Sequence, residues 1–352
     1  MNFNIPPLSS ELNEALQIKL DHKTKPVGSL GQLERIAFQV GRIQKSLSPV
    51  LSKPMLVVVG GDHGITAEGV SPCPAEITWQ QMLNFLRGGG GCSLFARQYG
   101  MEMKVVDAGC NYDFKPHPDL IDCKVRKGTR NFLYEPAMSR EECEKSLQNG
   151  ADLVAEIYKN GTNVVAFGEM GIGNTSPASV LMSKFCDIPI ETCVGPGSGL
   201  TTEGVVNKTA VLKKAIENVV VSDHPVDILA AFGGLEIAFI AGGMLKAAEL
   251  GMLIIVDGFI ITSSLLAAQA INRNVLDYCL FSHQSKEGGH KLMVEFLKGD
   301  PILDLDLRLG EGTGAAIAYS IIEGAVAMLN EMTSFDEARV SDTTHIRMEE
   351  EK

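Results

Sequence analysis

Glu311 stands between two glycines in RLGEGTGAA, residues 308–316, just before a helical run toward Met328. Flanking glycines let the backbone adopt conformations that could aim this carboxylate into a cleft. Held there, it could act as a general base that accepts a proton from an attacking aromatic nucleophile. A Glu in a first helical turn also complements the helix dipole without any catalytic task. Arg308 and Leu309, immediately before it, are counted with it as candidate substrate contacts.

A second carboxylate, Glu169, lies in GEMGIGNTS, residues 168–176, after the apolar run Val164–Phe167. Gly171 and Gly173 allow close backbone approach to a ligand, and Asn174, Thr175 and Ser176 are capping candidates for the following helix. Exposed amides and the helix dipole would make an anion cradle suited to a phosphate. The plainer alternative is a tight strand-to-helix turn, although a carboxylate at such a turn is an odd choice for structure alone. GPGSGL, residues 195–200, offers a further phosphate-contacting loop through Gly197 and Ser198. As a dinucleotide fingerprint it is poor, because it lacks a preceding hydrophobic strand and an acidic residue about twenty positions on.

Three more segments carry polar groups that chemistry could use. Lys208, in EGVVNKTAVLKKAIENV, reads as lying at or near a helix start. It is either a point charge for an anionic substrate or a solvated surface residue. Asp257 and Gly258 end a strand in VDGF, where the carboxylate suits ribose hydroxyls or a helix N-cap. FSHQSKEGGH, residues 281–290, reads as a substrate-lining loop with Ser285 as its candidate contact. His283 and His290 are seven apart and no second cluster completes a ligand set, which argues against a metal.

Such groups need a frame, and the sequence supplies one. From residue 54, β-rich runs end in glycine and pass into helical patterns: PMLVVVGGDHG, NVVAFGEMGIGN, DILAAFGG and MLIIVDGF. This alternation predicts an α/β fold with a mainly parallel, doubly wound sheet. In such a sheet the ligand sits beyond the carboxyl ends of the strands, where the glycine turns would converge. Two amphipathic stripes within residues 9–50, broken at KTKPVGSLGQLE, predict an N-terminal helical pair. Ser139 and Glu142 form a capping box for a helix toward Tyr158. From Thr333 to Lys352 a polar, acidic segment reads as a loosely held tail or an exposed final helix.

Composition narrows the partners. The 352 residues carry a net charge of −12, which argues against nucleic acid or anionic membrane as the main partner. An anionic small substrate remains compatible if helix N-termini supply local positive potential. The eight cysteines show no CxxC pair, so they read as reduced thiols. No signal peptide is evident at residues 1–20, and the longest apolar stretches read as strand length, short of a membrane span. A cytoplasmic location is expected.

Taken together, KPVGSLGQLE (25–34), GGDHGIT (60–66), GEMGIGNTS (168–176), FGGLEIA (232–238), FSHQSKEGGH (281–290) and RLGEGTGAA (308–316) resemble the nicotinate-nucleotide–dimethylbenzimidazole phosphoribosyltransferases, which make the lower-ligand nucleotide of cobamides. They occur in the family's order from about residue 20 to 330. The resemblance implies a large α/β catalytic domain, residues 51–330, and a small helical domain or arm from residues 1–50 and 331–352. It also implies a dimer, of identical chains or with a paralogue, and neither metal nor organic cofactor. The substrates would be nicotinate mononucleotide and an aromatic base. By position Glu311 matches the catalytic base, Glu169 a second acidic residue at the reacting centre and Lys208 an active-site cation. The turns 171–174, 197–198 and 257–258 match nucleotide-contacting loops. Cys73 and Gln81, in GVSPCPAEITWQQM (69–82), fall in the acceptor pocket, and Cys73 departs from the polar or tyrosine-type residue expected there. A less polar pocket would admit phenol or p-cresol beside dimethylbenzimidazole. The competing readings are an NAD-dependent dehydrogenase, which lacks its glycine fingerprint, and a catalytically silent subunit, which has no need of Glu311.

Overall fold

The computed structural model describes residues 3–341 and shows one six-stranded sheet flanked by helices. The strands are β1 (Met55–Gly61), β2 (Glu102–Gly109), β3 (Leu120–Asp122), β4 (Val164–Met170), β5 (Leu253–Val256) and β6 (Cys279–Phe281). Their order is β3-β2-β1-β4-β5-β6, and every pairing is parallel. The doubly wound α/β expectation is met. Because helices cover both faces, the central strand β1, MLVVVGG, is buried along its whole length and reads as a continuous apolar run.

Topology fixes where a ligand can enter. The chain builds β1, β2 and β3 outward in one direction, then returns to place β4, β5 and β6 on the other side of β1. The order therefore reverses between β1 and β4, and a crevice opens beyond their carboxyl ends. There Val59 pairs with Glu169 and Gly60 with Met170.

The helices are held by specific devices. The Arg140–Lys159 helix begins at the expected capping box, with Ser139 accepting from the Glu142 amide and the Glu142 side chain accepting in return from Ser139. It packs on the Leu235–Glu249 helix at backbone contact distance: a Cβ on Gly242 would lie 1.9 Å from the Leu147 carbonyl oxygen. The N-terminal pair, Asn13–Asp21 and Gln32–Gln44, flanks the Pro26–Gly28 break. Chain ends meet here, because the Phe335 amide donates to the His22 carbonyl and the Thr24 amide to that of Thr333. The expected C-terminal segment shows a short Phe335–Ala338 helix with its own capping box, and residues 342–352 lie outside the described residues.

One expectation needs correction. The Thr313–Glu331 helix is long and apolar enough to cross a membrane by length and composition. The sequence marks a helical run toward Met328 here, but its apolar residues are broken up by glycine, serine, tyrosine and glutamate and do not read as one long stretch. It packs against the Gln32–Gln44 helix and the strands, with Tyr319, Ile322, Ala325 and Leu329 buried, so its apolar face serves the core.

Two glycines separate close packing from simple helix propensity. Gly242→Ala is expected to cost at least about 1–3 kcal/mol through overpacking at a backbone contact. Gly324→Ala is expected to add roughly 0.5–1 kcal/mol, because its added methyl would meet nothing within 4 Å and alanine favours the helix. Urea unfolding of both variants checks the opposite signs.

Candidate active site

A cavity of about 210 Å³ opens at the carboxyl ends of β4, β5 and β6. Its wall brings together Glu169, Gly171, Gly173 and Asn174 from the turn after β4, with Gly197 and Ser198 from the turn after the Ile190–Cys193 helix. Asp257, Gly258 and Ser285 line it from the ends of β5 and β6, and Arg308, Leu309 and Glu311 close it. Three helices, Thr175–Cys186, Phe259–Ile271 and Thr313–Glu331, begin at or beside this wall. Their amide-rich N-termini supply positive potential to an otherwise acidic chain.

Glu311 is held in the left-handed region at φ 63°, between Gly310 at φ 80° and Gly312 at φ 84°. That run of three positive φ values is what the glycine flanks allow. Strand β4 makes room for it, since a Cβ on Gly168 would sit 2.1 Å from the Glu311 carbonyl oxygen. The side chain is buried, 7% exposed, and Gln81 Nε2 donates to Oε1 at 2.8 Å. Oε2 has no hydrogen-bond partner. Burial raises the Glu311 pKa above the ordinary carboxylate value, opposed by the Gln81 hydrogen bond and reinforced by the Asp257 charge.

Glu169 has a different position. Its Oε1 accepts the Glu311 backbone amide at 3.3 Å, and its Oε2 accepts from Asn174 Nδ2. Burial pushes its pKa well above the ordinary value, against those two hydrogen bonds. Asn174 was a capping candidate from sequence; its side chain instead serves Glu169 and makes no cap to its helix. Asp257 likewise does not cap the helix that follows it. Its carboxylate accepts the Ala315 amide at 2.8 Å and the Gly312 amide at 3.2 Å, so it caps the Thr313–Glu331 helix across the cavity.

Lys208 requires a correction. It lies inside the Thr202–Asn218 helix rather than at its start, and it is fully buried. Its ammonium donates to Thr175 Oγ1 at 2.6 Å, behind the Gly197 turn. Desolvation lowers its pKa to about 8, partly offset by the nearby Glu287 carboxylate. Glu287 in turn accepts the Gly197 amide at 3.0 Å. Cys73 is not on the cavity wall; it sits in the half-buried loop whose Ser71 hydroxyl lies 3.3 Å from that of Ser198. Gln81 reaches the site through Glu311 alone.

Several supporting groups carried no role in the sequence reading. His63 and Glu236 form a fully buried pair at 2.8 Å, and a Cβ on Gly171 would lie 3.0 Å from the His63 ring. Burial disfavours the charged ring, but Glu236 outweighs it and the His63 pKa is raised. His290 accepts the Ser285 amide at 3.0 Å through Nδ1 and so fixes the lining loop; burial lowers its pKa to about 3. Both His63 and Glu236 belong to recognisable sequence segments, GGDHGIT and FGGLEIA, yet their pairing across 173 positions has no local signature.

The Phosphoribosyltransferase family profile matches residues 5–340. The nicotinate-nucleotide–dimethylbenzimidazole phosphoribosyltransferase of Parabacteroides distasonis is 51% identical over 97% of this chain and 99% of its own. The chain belongs to this family. The enzyme of the same name from Dechloromonas aromatica is 46% identical over 97% of this chain and 99% of its own. The crystal structure of CobT from Thermus thermophilus superposes with a TM-score of 0.91 at 37% identity, covering 94% of this chain and 99% of that one. The phosphoribosyltransferase fold therefore extends over nearly all of the described residues.

The raised pKa of Glu311 has a consequence for stability. An acid whose folded pKa exceeds its unfolded value holds its proton longer in the folded state. Stability then falls as pH rises from the unfolded pKa through the folded one. Glu311→Gln removes that loss while retaining an acceptor for Gln81. The thermal midpoint of the Gln variant is expected to exceed wild type at pH 8 and to converge with it near pH 4. A difference independent of pH would rule this linkage out.

Proposed function

We propose that this phosphoribosyltransferase moves the phosphoribosyl group of nicotinate mononucleotide onto 5,6-dimethylbenzimidazole, releasing nicotinate and an α-ribazole-type phosphate for cobamide synthesis. The observation that carries the reading is Glu311: a buried carboxylate with one oxygen fixed by Gln81 and the other unpartnered, set beside an amide-rich turn system suited to a phosphate. The names of the relatives supply the substrate pair.

In the donor, nicotinate is already a pyridinium, so the bond from C1′ to the ring nitrogen can break without an acid. One benzimidazole nitrogen forms the new bond to C1′, and the other loses its proton to Glu311 Oε2. Such proton transfer contributes roughly 10²–10⁴-fold. Attack on the face opposite the departing nicotinate converts a β-linked donor into an α-linked product. The phosphate is not consumed and acts as a handle, gripped by the turns at 171–174, 197–198 and 257–258 and by the charge of Lys208. Glu169 supports the base by holding its backbone amide and does not itself move the proton. Asp257 sets the same base by capping the helix behind it. The sequence departure at Cys73 that opened the phenolic reading lies off the cavity wall, which favours the benzimidazole acceptor.

Glu311→Gln keeps the shape and cannot take the proton. Turnover with nicotinate mononucleotide and dimethylbenzimidazole is expected to fall at least about 10²-fold, with calorimetric donor affinity largely kept. A Gln variant with near wild-type turnover would remove Glu311 as the base. Donor affinity of the wild type should also weaken as pH rises through about 8, where Lys208 loses its charge in the free protein. Lys208→Met should bind the donor weakly at every pH and show no such inflection.

A further inference from the structure

The Ile77–Leu86 helix touches both halves of the proposed site through one face. Gln81, on that helix, holds the Glu311 carboxylate at 2.8 Å. Thr78, three positions earlier and therefore on the same face, accepts the Ile172 backbone amide at 3.0 Å through Oγ1. Ile172 sits in the middle of the turn that lines the cavity after β4. Thr78 is fully buried, and the bond joins residues 94 positions apart. Within the same turn the Asn174 amide closes on the Gly171 carbonyl at 3.0 Å and Gly173 takes φ 87°.

A buried amide must find an acceptor, and the turn has oriented this one toward a side chain of the acceptor helix rather than its own backbone. We infer that Thr78 is a positioning residue: it locks the phosphate turn to the helix that also carries Gln81, so that donor and base are held at a fixed separation. Near-attack geometry depends on that separation, and an error of about 1 Å costs on the order of 10²-fold in rate. The helix itself is seated by Met82, which lies against Gly60 at the end of β1 and ties the arrangement to the sheet. The role rests on the donor and base assignments proposed above.

Thr78→Val keeps the shape and removes the acceptor; Thr78→Ser keeps the acceptor and loses only a methyl group. In the Val variant, calorimetric affinity for nicotinate mononucleotide is expected to fall about tenfold, because an unpaired buried amide loosens the turn. The KM for dimethylbenzimidazole should stay within about twofold, and Ile172 amide exchange should accelerate by an order of magnitude or more. The Ser variant should restore both readouts to near wild type. Unchanged donor affinity and Ile172 exchange in a Val variant with a native thermal midpoint would overturn the inference, as would a Ser variant as impaired as Val. A wild-type chain that binds no nicotinate mononucleotide would instead sink the donor assignment, and an accelerated Ile172 exchange in the Val variant would then still show that Thr78 locks the turn.

Discussion

The first amides of the Thr313–Glu331 helix have no partners within that helix, as in any helix, and something must accept them. Here the acceptor is Asp257, which takes the Gly312 and Ala315 amides with its two oxygens from the end of β5. Much of the site depends on this clamp. It decides where the helix begins, and so where Glu311, next to its N-cap Gly312, must stand. Glu169 then takes the Glu311 amide itself from the end of β4. Two strand-end carboxylates thus pin the backbone on either side of the proposed base. A non-glycine residue at positive φ costs on the order of 1–3 kcal/mol, and a surrounding structure that over-determines it can sustain such strain.

The arrangement concentrates three buried carboxylates, Glu169, Asp257 and Glu311, around one cavity. Mutual repulsion and desolvation would make this unfavourable in a plain apolar crevice. Two of the three are bonded to main-chain amides near helix starts, where the dipole favours negative charge. Glu311 alone keeps an unpartnered oxygen. Burial, reinforced by the Asp257 charge and opposed by the Gln81 hydrogen bond, leaves it with a raised pKa, closer to what a base working near neutrality needs.

Much of this was legible in the sequence because it is local. Apolar runs ending in glycine gave β1, β4 and β5 of the parallel sheet, while DILAAFGG, read the same way, forms the Pro225–Phe232 helix instead; the sheet rule then gathered distant glycine turns at one end. Glu311 announced itself through flanking glycines whose φ values are indeed positive. What stayed hidden is what depends on distant partners. Asp257 reads equally well as a ribose ligand or a cap, and only the fold shows that it caps a helix 55 positions away. Lys208 lies in a helix whose pattern gives no hint that this position faces inward, so its burial could not be read. The family resemblance puts Cys73 in an acceptor pocket, but the loop that carries it leans on the Ser198 turn.

Charge brings these strands together. On the proposed reading, a chain with net charge −12 holds an anionic donor with few cations: Lys208, bonded to Thr175 behind the Gly197 turn, and Arg308 at the cavity wall. The other positive potential the proposal calls on is backbone, at the helix N-termini and glycine turns that line the cavity. Backbone dipoles do not titrate and need no counter-ion, and the pKa of the nearby base stays raised by burial and the Asp257 charge against the Gln81 hydrogen bond. A cluster of arginines would grip a phosphate more strongly, but it would also hold Glu311 ionised at a low pKa and weaken it as a base. Under the proposed reading, using amides for the anion and a single buried lysine for its charge would let one cavity bind a negative substrate and still keep a carboxylate that can accept a proton.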